Sequence, residues 1–505
     1  MENDQKVRDL RNRKAPIEIS PEEFRRLGYQ LVDRIADFLS SLPQRPVTPG
    51  ESVAVVRQAL GSHDKLPDHG TNPEGLLEQA ASLVFGHSLF NSHPRFWGYV
   101  TSPAAPIGIL GDLLASAANP NVGSWTLAPM ATEIEAQSVR WIAELIGYPS
   151  NCEGLLVSGG NMANLVGFLA ARSNRADWDI RKAGLQHADA KTLRVYASSE
   201  THTWIQKATD LFGLGTDAIS WIPVDQHQRM DTQALRQRLN EDRAQGVTPL
   251  LVVGSAGTVS TGAVDPLSEI AAICREHGAW FHVDGAYGAL AAAAVPAEFE
   301  GMQEADSVAV DPHKWLYSPL EAGCVLVRHS DALRKTFSYH PPYYAFDKDV
   351  LNYFDLGPQN SRGFRALKVW LALKHVGRSG YVQMIGDDIR LAQALYRKLA
   401  DHAELERLTQ GLSITTFRYI PVELKSRSGS DRVDTYLNRL NEELLNRLEK
   451  GGEAFLSKAM LGNKFALRLC IVNFRTSLED IEALPEIVMR LGRQVDQELR
   501  AAGAL

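Results

Sequence analysis

Cysteine is scarce: only Cys152, Cys274, Cys324 and Cys470 occur among 505 residues, and none forms a CxxC pair. That excludes a disulfide scaffold and a cysteine-based zinc site, and it fits the reducing cytoplasm. Long apolar runs are also missing. The richest stretch, 288–297, falls well short of the roughly 20 residues that span a membrane. Residues 1–14 are polar and charged, without the apolar core of a signal peptide. Positive charge is not in excess either: 53 Lys and Arg face 60 Asp and Glu, a net charge of −7 with no acidic tail. Nucleic acid and anionic membrane surfaces are therefore not expected partners.

What is present is an ordinary globular balance, 44% hydrophobic and 22% charged, with a length sufficient for several structural units. Ser20-Pro21-Glu22-Glu23 forms a capping box with proline at the first helical position. Behind it Phe24, Leu27, Leu31, Val32, Ile35, Phe38 and Leu39 recur at helical spacing. The helix ends before Pro43, and residues 43–50 read as an extended connector. From about residue 93 short β-branched runs (154–157, 193–197, 219–224, 250–253, 280–283, 308–310 and 323–327) alternate with helical stretches. That alternation predicts α/β units around a mostly parallel central sheet. After Arg365 a long helical pattern leads to strands over 412–419 and 465–472 and helices over 431–449 and 477–500. The expected division is a helical N-terminal arm over 1–92, a large domain over 93–378 and a smaller α+β domain over 379–505.

Four stretches carry chemistry. In Ser307-Val308-Ala309-Val310-Asp311-Pro312-His313-Lys314-Trp315, a strand stops at a proline turn that delivers Lys314 among aromatic neighbours. Burial disfavours an ammonium, and a neutral amine forms an imine with an aldehyde. In 154–164 a strand runs through Ser158-Gly159-Gly160-Asn161 into a helix. Free backbone N–H groups and the helix dipole make that turn an anion cradle suited to a single phosphate. It lacks the GK[ST] of a P-loop and the GxGxxG of a dinucleotide fold. In 280–288 Asp284 closes an apolar strand, where a carboxylate requires a cap or a cationic partner such as a protonated ring nitrogen. In 196–204 a strand leads to His202 at a helix start. An imine-forming lysine, an acid for a pyridine nitrogen, an aromatic surface and a phosphate cradle are together what pyridoxal 5′-phosphate (PLP) requires.

At these residues the chain resembles the group II PLP-dependent amino-acid decarboxylases, and among them the aromatic-L-amino-acid decarboxylases and their bacterial relatives. The resemblance runs from about Ser20 to about Arg500. It rests on Glu23-Phe24-Arg25-Arg26-Leu27-Gly28, His93-Pro94-Arg95-Phe96, Thr132-Glu133-Ile134-Glu135, the HVD run at 282–284, the PHKW run at 312–315 and Phe364-Arg365-Ala366-Leu367-Lys368. It implies a fold-type-I PLP-dependent transferase fold and a cytoplasmic homodimer with its active site at the interface. It implies that Lys314 holds PLP as an imine, that Asp284 keeps the pyridine nitrogen protonated, and that His202 and Ala286 cover the two ring faces. Gly160, Asn161 and Asp311 fall at phosphate-contacting positions, where the family often has serine at 161 and asparagine at 311. Thr258 falls near a supporting threonine, and His313 near polar atoms of the imine or substrate. Tyr353, counted back from Phe364, falls at the mobile-loop tyrosine that reprotonates Cα, with Tyr343, Tyr344 and Phe354 nearby. Tyr99, Thr101, Ser102 and Trp125 are the expected substrate-side residues. Tyr99 stands where glutamate decarboxylases carry glutamine, which favours an aromatic amino acid. Asn91 and Gly123 stand where the aromatic branch is often bulky, and Arg468 matches an arginine shared by several branches. The expected reaction converts an L-amino acid to its amine and CO2. The alternatives are an aromatic aldehyde synthase on the same scaffold and a decarboxylase of an acidic or other amino acid.

Overall fold

A computed structural model describes all residues except 1–9, 12, 14, 189, 341–349 and 505. The chain forms two compact units: residues up to Phe90 together with Lys450–Gly452, and Asn91–Glu449 together with Glu453–Leu505.

In the first unit the helix Pro21–Ser41 starts as its capping residues dictate, with Ser20 Oγ accepting the Glu23 N–H at 3.1 Å. It pairs with the helix Pro73–Gly86 through Arg26–Glu74 at 2.7 Å, Arg34–Glu78 at 2.9 Å and a Phe38–Phe85 stack at 4.2 Å. Of its apolar face only Leu27 is buried, and Phe24, Tyr29 and Val32 stand exposed.

The second unit contains two sheets. The larger is built from β1 (Glu153–Val157), β2 (Leu193–Ser198), β3 (Ile219–Ile222), β4 (Thr248–Ser255), β5 (Trp280–Asp284), β6 (Ser307–Val310) and β7 (Gly323–Val327). Its order is β1-β7-β6-β5-β4-β2-β3. Strands β2 to β6 pair in parallel, whereas β7 runs antiparallel to both β1 and β6. The carboxyl ends of β2, β4, β5 and β6 therefore share one edge, where open α/β sheets place their ligands. The reversal between β6 and β7 makes residues 311–322 a return turn, and that turn holds Lys314.

The smaller sheet, β8 (Leu405–Gly411), β9 (Ile414–Tyr419), β10 (Ser457–Leu461) and β11 (Lys464–Cys470), is antiparallel in the order β10-β11-β9-β8. The strand expected from 412 begins at Ile414, because Leu412 adopts a φ of +46° in the turn from β8. Strand β8 has a largely polar sequence that the hydrophobic pattern did not reveal.

A buried carboxylate ties the two sheets together. Asp388, on the helix Ala366–Lys398, accepts from Tyr317 Oη at 2.9 Å, Trp315 Nε1 at 3.2 Å and the Asn473 N–H at 3.2 Å. It thus pins the turn that carries Lys314 to the end of β11. Burial pushes its carboxyl up to about 8. The folded chain therefore keeps a proton that the unfolded chain surrenders near pH 4, and stability drains away as pH rises from about 4 to about 8. Asp388→Asn has no such proton to lose. In chemical denaturation at pH 5 and pH 8, the variant is expected to gain at least about 1 kcal/mol on the wild type between the two values. Parallel pH curves would refute the assignment.

Candidate active site

One cavity at the carboxyl edge of the large sheet brings together Gly160, Asn161, His202, Thr258, Asp284, Ala286, Asp311 and Lys314. Each is placed by its element. Gly160 and Asn161 open the helix Gly160–Arg175 behind β1, with backbone N–H groups that have no partner in the preceding turn. A Cβ on Gly160 would come within 2.6 Å of Asp311 Oδ2 and 2.7 Å of the Ala286 methyl, so only glycine lets these three elements meet.

Asp284 ends β5. Its Oδ2 accepts from Trp204 Nε1 at 2.8 Å and its Oδ1 from the Ala286 N–H at 3.2 Å, which fixes the carboxylate plane. His202 is exposed, and its Nδ1 accepts the Trp204 N–H at 3.3 Å. Thr258 Oγ1 pairs with Thr261 Oγ1 at 2.9 Å. Lys314 Nζ donates to Asp311 Oδ2 at 3.0 Å, and Asp311 is 2% exposed. His313 Nδ1 accepts the Ala322 N–H at 3.2 Å, and its Nε2 lies 3.6 Å from Asp311. Burial lowers the His313 imidazole below its usual range.

The cavity does not include the expected substrate-side residues. Tyr99 is 58% exposed with a φ of +53°, and Trp125 Nε1 donates to Glu133 Oε1 at 3.0 Å. Thr101 is half-buried outside the cavity. Ser102 is buried and acts on the lysine turn, donating to the His313 carbonyl at 2.9 Å.

Tyr353 departs further from expectation. It sits in a 3-10 turn, 1% exposed, with the Arg362 guanidinium 4.5 Å from its ring centre. Its hydroxyl is buried without a partner among the described residues. The cause is Arg362, which the core holds by a buried pair with Glu135 and which draws the aromatic face under it. Tyr343 and Tyr344 lie outside the described residues. Tyr353→Phe therefore removes only an unsatisfied hydroxyl. Its activity is expected to stay within about twofold of wild type and its stability to rise by up to about 1 kcal/mol. A change of product from amine to aldehyde would contradict this placement.

Residues 57–420 match the family described as the pyridoxal-dependent decarboxylase conserved domain. The chain is 36% identical to an aromatic-L-amino-acid decarboxylase of Bacillus atrophaeus over 487 residues, 95% of this chain and 97% of the relative. The chain belongs to the pyridoxal-dependent decarboxylases. It is also 30% identical to a phenylacetaldehyde synthase of Petunia hybrida over 90% of this chain and 91% of that one. The crystal structure of Oryza sativa TDC with PLP and tryptamine superposes with a TM-score of 0.86 at 25% identity, covering 95% of this chain and 99% of that one.

The enzyme is thus a PLP-dependent amino-acid decarboxylase, and its cavity fits the cofactor. The glycine cradle at a helix N-terminus suits a phosphate, and a fixed carboxylate suits a protonated ring nitrogen. Asp311, beside the cradle, carries a buried Oδ1 without a partner among the described residues, while Lys314 offsets its charge at Oδ2. Two residues not singled out beforehand, Trp204 and Asn164, matter, and Arg468 gains a setting. Trp204 orients Asp284, and Asn164 lines the cavity from the first turns of its helix. Among the described residues Arg468, 4% exposed on β11, has only neutral partners: Ser457 Oγ at 2.7 and 3.0 Å and the carbonyl of Val259, a cavity residue, at 2.6 Å. Trp204 and Asn164 close motif runs already noted, but their orientation has no signature in one dimension.

Proposed function

We propose that this decarboxylase converts an aromatic L-amino acid to its amine and CO2, working in the cytoplasm as a homodimer. The observation that carries the reading is the cavity itself, in which Lys314, Asp284, His202 and the Gly160–Asn161 cradle converge. Bound PLP supplies an electron sink through its protonated pyridine ring. Lys314 Nζ is the amine that holds it, and the Gly160 and Asn161 N–H groups take its phosphate. Asp284 keeps the ring proton in place, with Trp204 and Ala286 holding its two oxygens. His202 and Ala286 cover the ring faces, and Thr258 supports it. Asp311 orients Lys314 from the phosphate side, and His313 braces the turn.

Arg468 is the proposed seat of the substrate carboxylate. Among the described residues no carboxylate neutralises it, and a buried guanidinium gains most from an anion that arrives without water. Tyr99 lies over the same corner, its N–H donating to Ser457 Oγ at 3.3 Å. That position supports an aromatic substrate, as does the Bacillus relative's name. Thr101, Ser102 and Trp125 remain its proposed surroundings.

The dimer reading draws on exposed apolar side chains: Leu110, Leu113 and Leu114 on the helix Pro106–Ala118, and Phe24 and Tyr29 on the first helix. Residues 1–92 are taken as the arm that embraces the partner, ahead of a cofactor domain over 93–378 and a small domain over 379–505. A monodisperse, active monomer would defeat it.

To test the function, the PLP-loaded protein is incubated with a panel of L-amino acids while amine, CO2, aldehyde and peroxide are followed. Amine and CO2 in equal amounts from aromatic substrates are expected. Peroxide with aldehyde would make it a synthase like the Petunia relative, and turnover confined to acidic substrates would overturn the specificity.

A further inference from the structure

Beneath the cavity floor four buried side chains form a hydrogen-bonded relay. Trp280 Nε1 lies 2.8 Å from Ser307 Oγ, Ser307 Oγ lies 2.7 Å from His282 Nδ1, and His282 Nε2 lies 2.7 Å from Asn164 Oδ1. His282 and Ser307 are fully buried, and Trp280 and Asn164 are 1% and 2% exposed. The donor inventory sets the direction. An indole N–H only donates, so Ser307 Oγ accepts from Trp280 and spends its own proton on His282 Nδ1. The imidazole proton then sits on Nε2 and is given to the Asn164 carbonyl oxygen. Burial keeps this imidazole neutral, with its pKa pushed down to about 4, so the ring accepts on one side and donates on the other.

Every polar group of the relay is then satisfied except the Asn164 amide nitrogen. It has no hydrogen-bond partner among the described residues, although Asn164 is buried and lines the cavity. An amide N–H that opens onto a cavity, on a side chain otherwise held in the core, is placed to meet a ligand. Asn164 lies four residues after Gly160, about 6 Å along the helix, so its donor sits deeper than the N–H groups of the cradle. Its relay partner His282 is two residues before Asp284, on the same face of β5. The open donor therefore lies on the ring side of the site rather than the phosphate side. On that ring the nitrogen is already protonated towards Asp284, which leaves the phenolic oxygen as the acceptor.

We propose that Asn164 is a cofactor-orienting residue that donates its amide N–H to the ring oxygen of PLP, with His282, Ser307 and Trp280 as positioning residues that hold the amide in that sense. This rests on the reading of the cavity as the PLP site and adds a contact that neither the glycine cradle nor the lysine supplies.

The test titrates cofactor-free protein with PLP, and separately with pyridoxal, which has the ring but no phosphate. Binding is followed by quenching of protein fluorescence and by the visible absorption of the bound cofactor. Asn164→Leu, close in volume, is expected to weaken both ligands about tenfold or more and to shift the visible band, with an unchanged far-ultraviolet circular dichroism spectrum. Asn164→Ser restores a donor and is expected to recover most of the affinity and the original band. Should Asn164→Leu not fold, Asn164→Ala carries the same expectation. His282→Phe, which frees the amide to turn, should shift the band in the same direction. Wild-type protein that binds no PLP would sink the underlying reading of the cavity. Wild-type binding with Asn164→Leu within twofold of it for both ligands overturns the role of Asn164 alone. A loss confined to PLP, with pyridoxal unaffected, places the donor on the phosphate and overturns the proposal as well.

Discussion

Lys314→Ala is expected to lower amine formation by on the order of 10⁴-fold or more, the scale seen when an enzyme loses the side chain that bonds covalently in its reaction. The variant separates two consequences of the same residue. Lys314 Nζ is the amine proposed to hold PLP, and it is also the cation 3.0 Å from Asp311, a carboxylate that is 2% exposed. Removing the lysine leaves that carboxylate with the His313 ring, 3.6 Å away and lowered by burial below its usual range, as its nearest basic group. A stability loss of about 1–3 kcal/mol should therefore accompany the loss of activity. The double variant Lys314→Ala/Asp311→Asn removes the stranded charge. It should recover most of the stability and none of the turnover, as read by thermal melts and a single-turnover amine assay. Borohydride should fix PLP to the wild type and not to either variant. Wild-type turnover in Lys314→Ala would end the proposed role, and a double variant no more stable than the single one would show that Asp311 needs no cation.

How legible the site was depends on whether its meaning lies along the chain or across it. Lys314, Asp284 and His202 each end or follow a β-branched run, and each has a side chain whose chemistry is unusual in that setting. Strand periodicity and residue type were enough to select them. The parallel sheet was legible for the same reason, since β2, β4, β5 and β6 are nearly continuous apolar runs. Strand β8 was not, because Leu405–Gly411 carries only two apolar side chains, Leu405 and Leu408, spaced three apart, at the edge of the small sheet. The part played by Trp204 and the setting of Arg468 were hidden because they depend on contacts 80 and 209 residues distant in sequence. The burial of Tyr353 was hidden in the same way. Its neighbours Asn352 and Asp355 read as loop residues, and only the Glu135–Arg362 pair reveals that this loop turns into the core.

That pair carries the second large effect: Glu135→Ala is expected to destabilise the fold by about 3–5 kcal/mol. Glu135 is completely buried and Arg362 is 4% exposed. Strand β1 is an outer strand of the large sheet and among the described residues pairs only with β7, so the outward N–H and C=O of Leu156 have no strand to meet. Glu135 Oε1 accepts that N–H at 2.9 Å, and Arg362 Nη2 donates to that carbonyl at 2.7 Å and to Glu135 itself. Arg362 Nη1 donates further to the Val122 carbonyl at 3.1 Å. Two side chains of opposite charge thus stand in for a missing strand and close an edge that would otherwise be open. Alanine at 135 leaves a guanidinium uncompensated in the core and an amide unsatisfied, and these two penalties account for the magnitude. Glu135→Gln keeps an acceptor for Leu156 but not the charge, and should fall between the two. In Glu135→Ala/Arg362→Leu no charge is stranded, so the double variant should be more stable than the sum of the single losses requires, with a coupling of at least about 1 kcal/mol in urea unfolding. A loss below about 1 kcal/mol for Glu135→Ala would mean that water reaches Arg362, and the account of Tyr353 as a core residue held beneath it would fall with it.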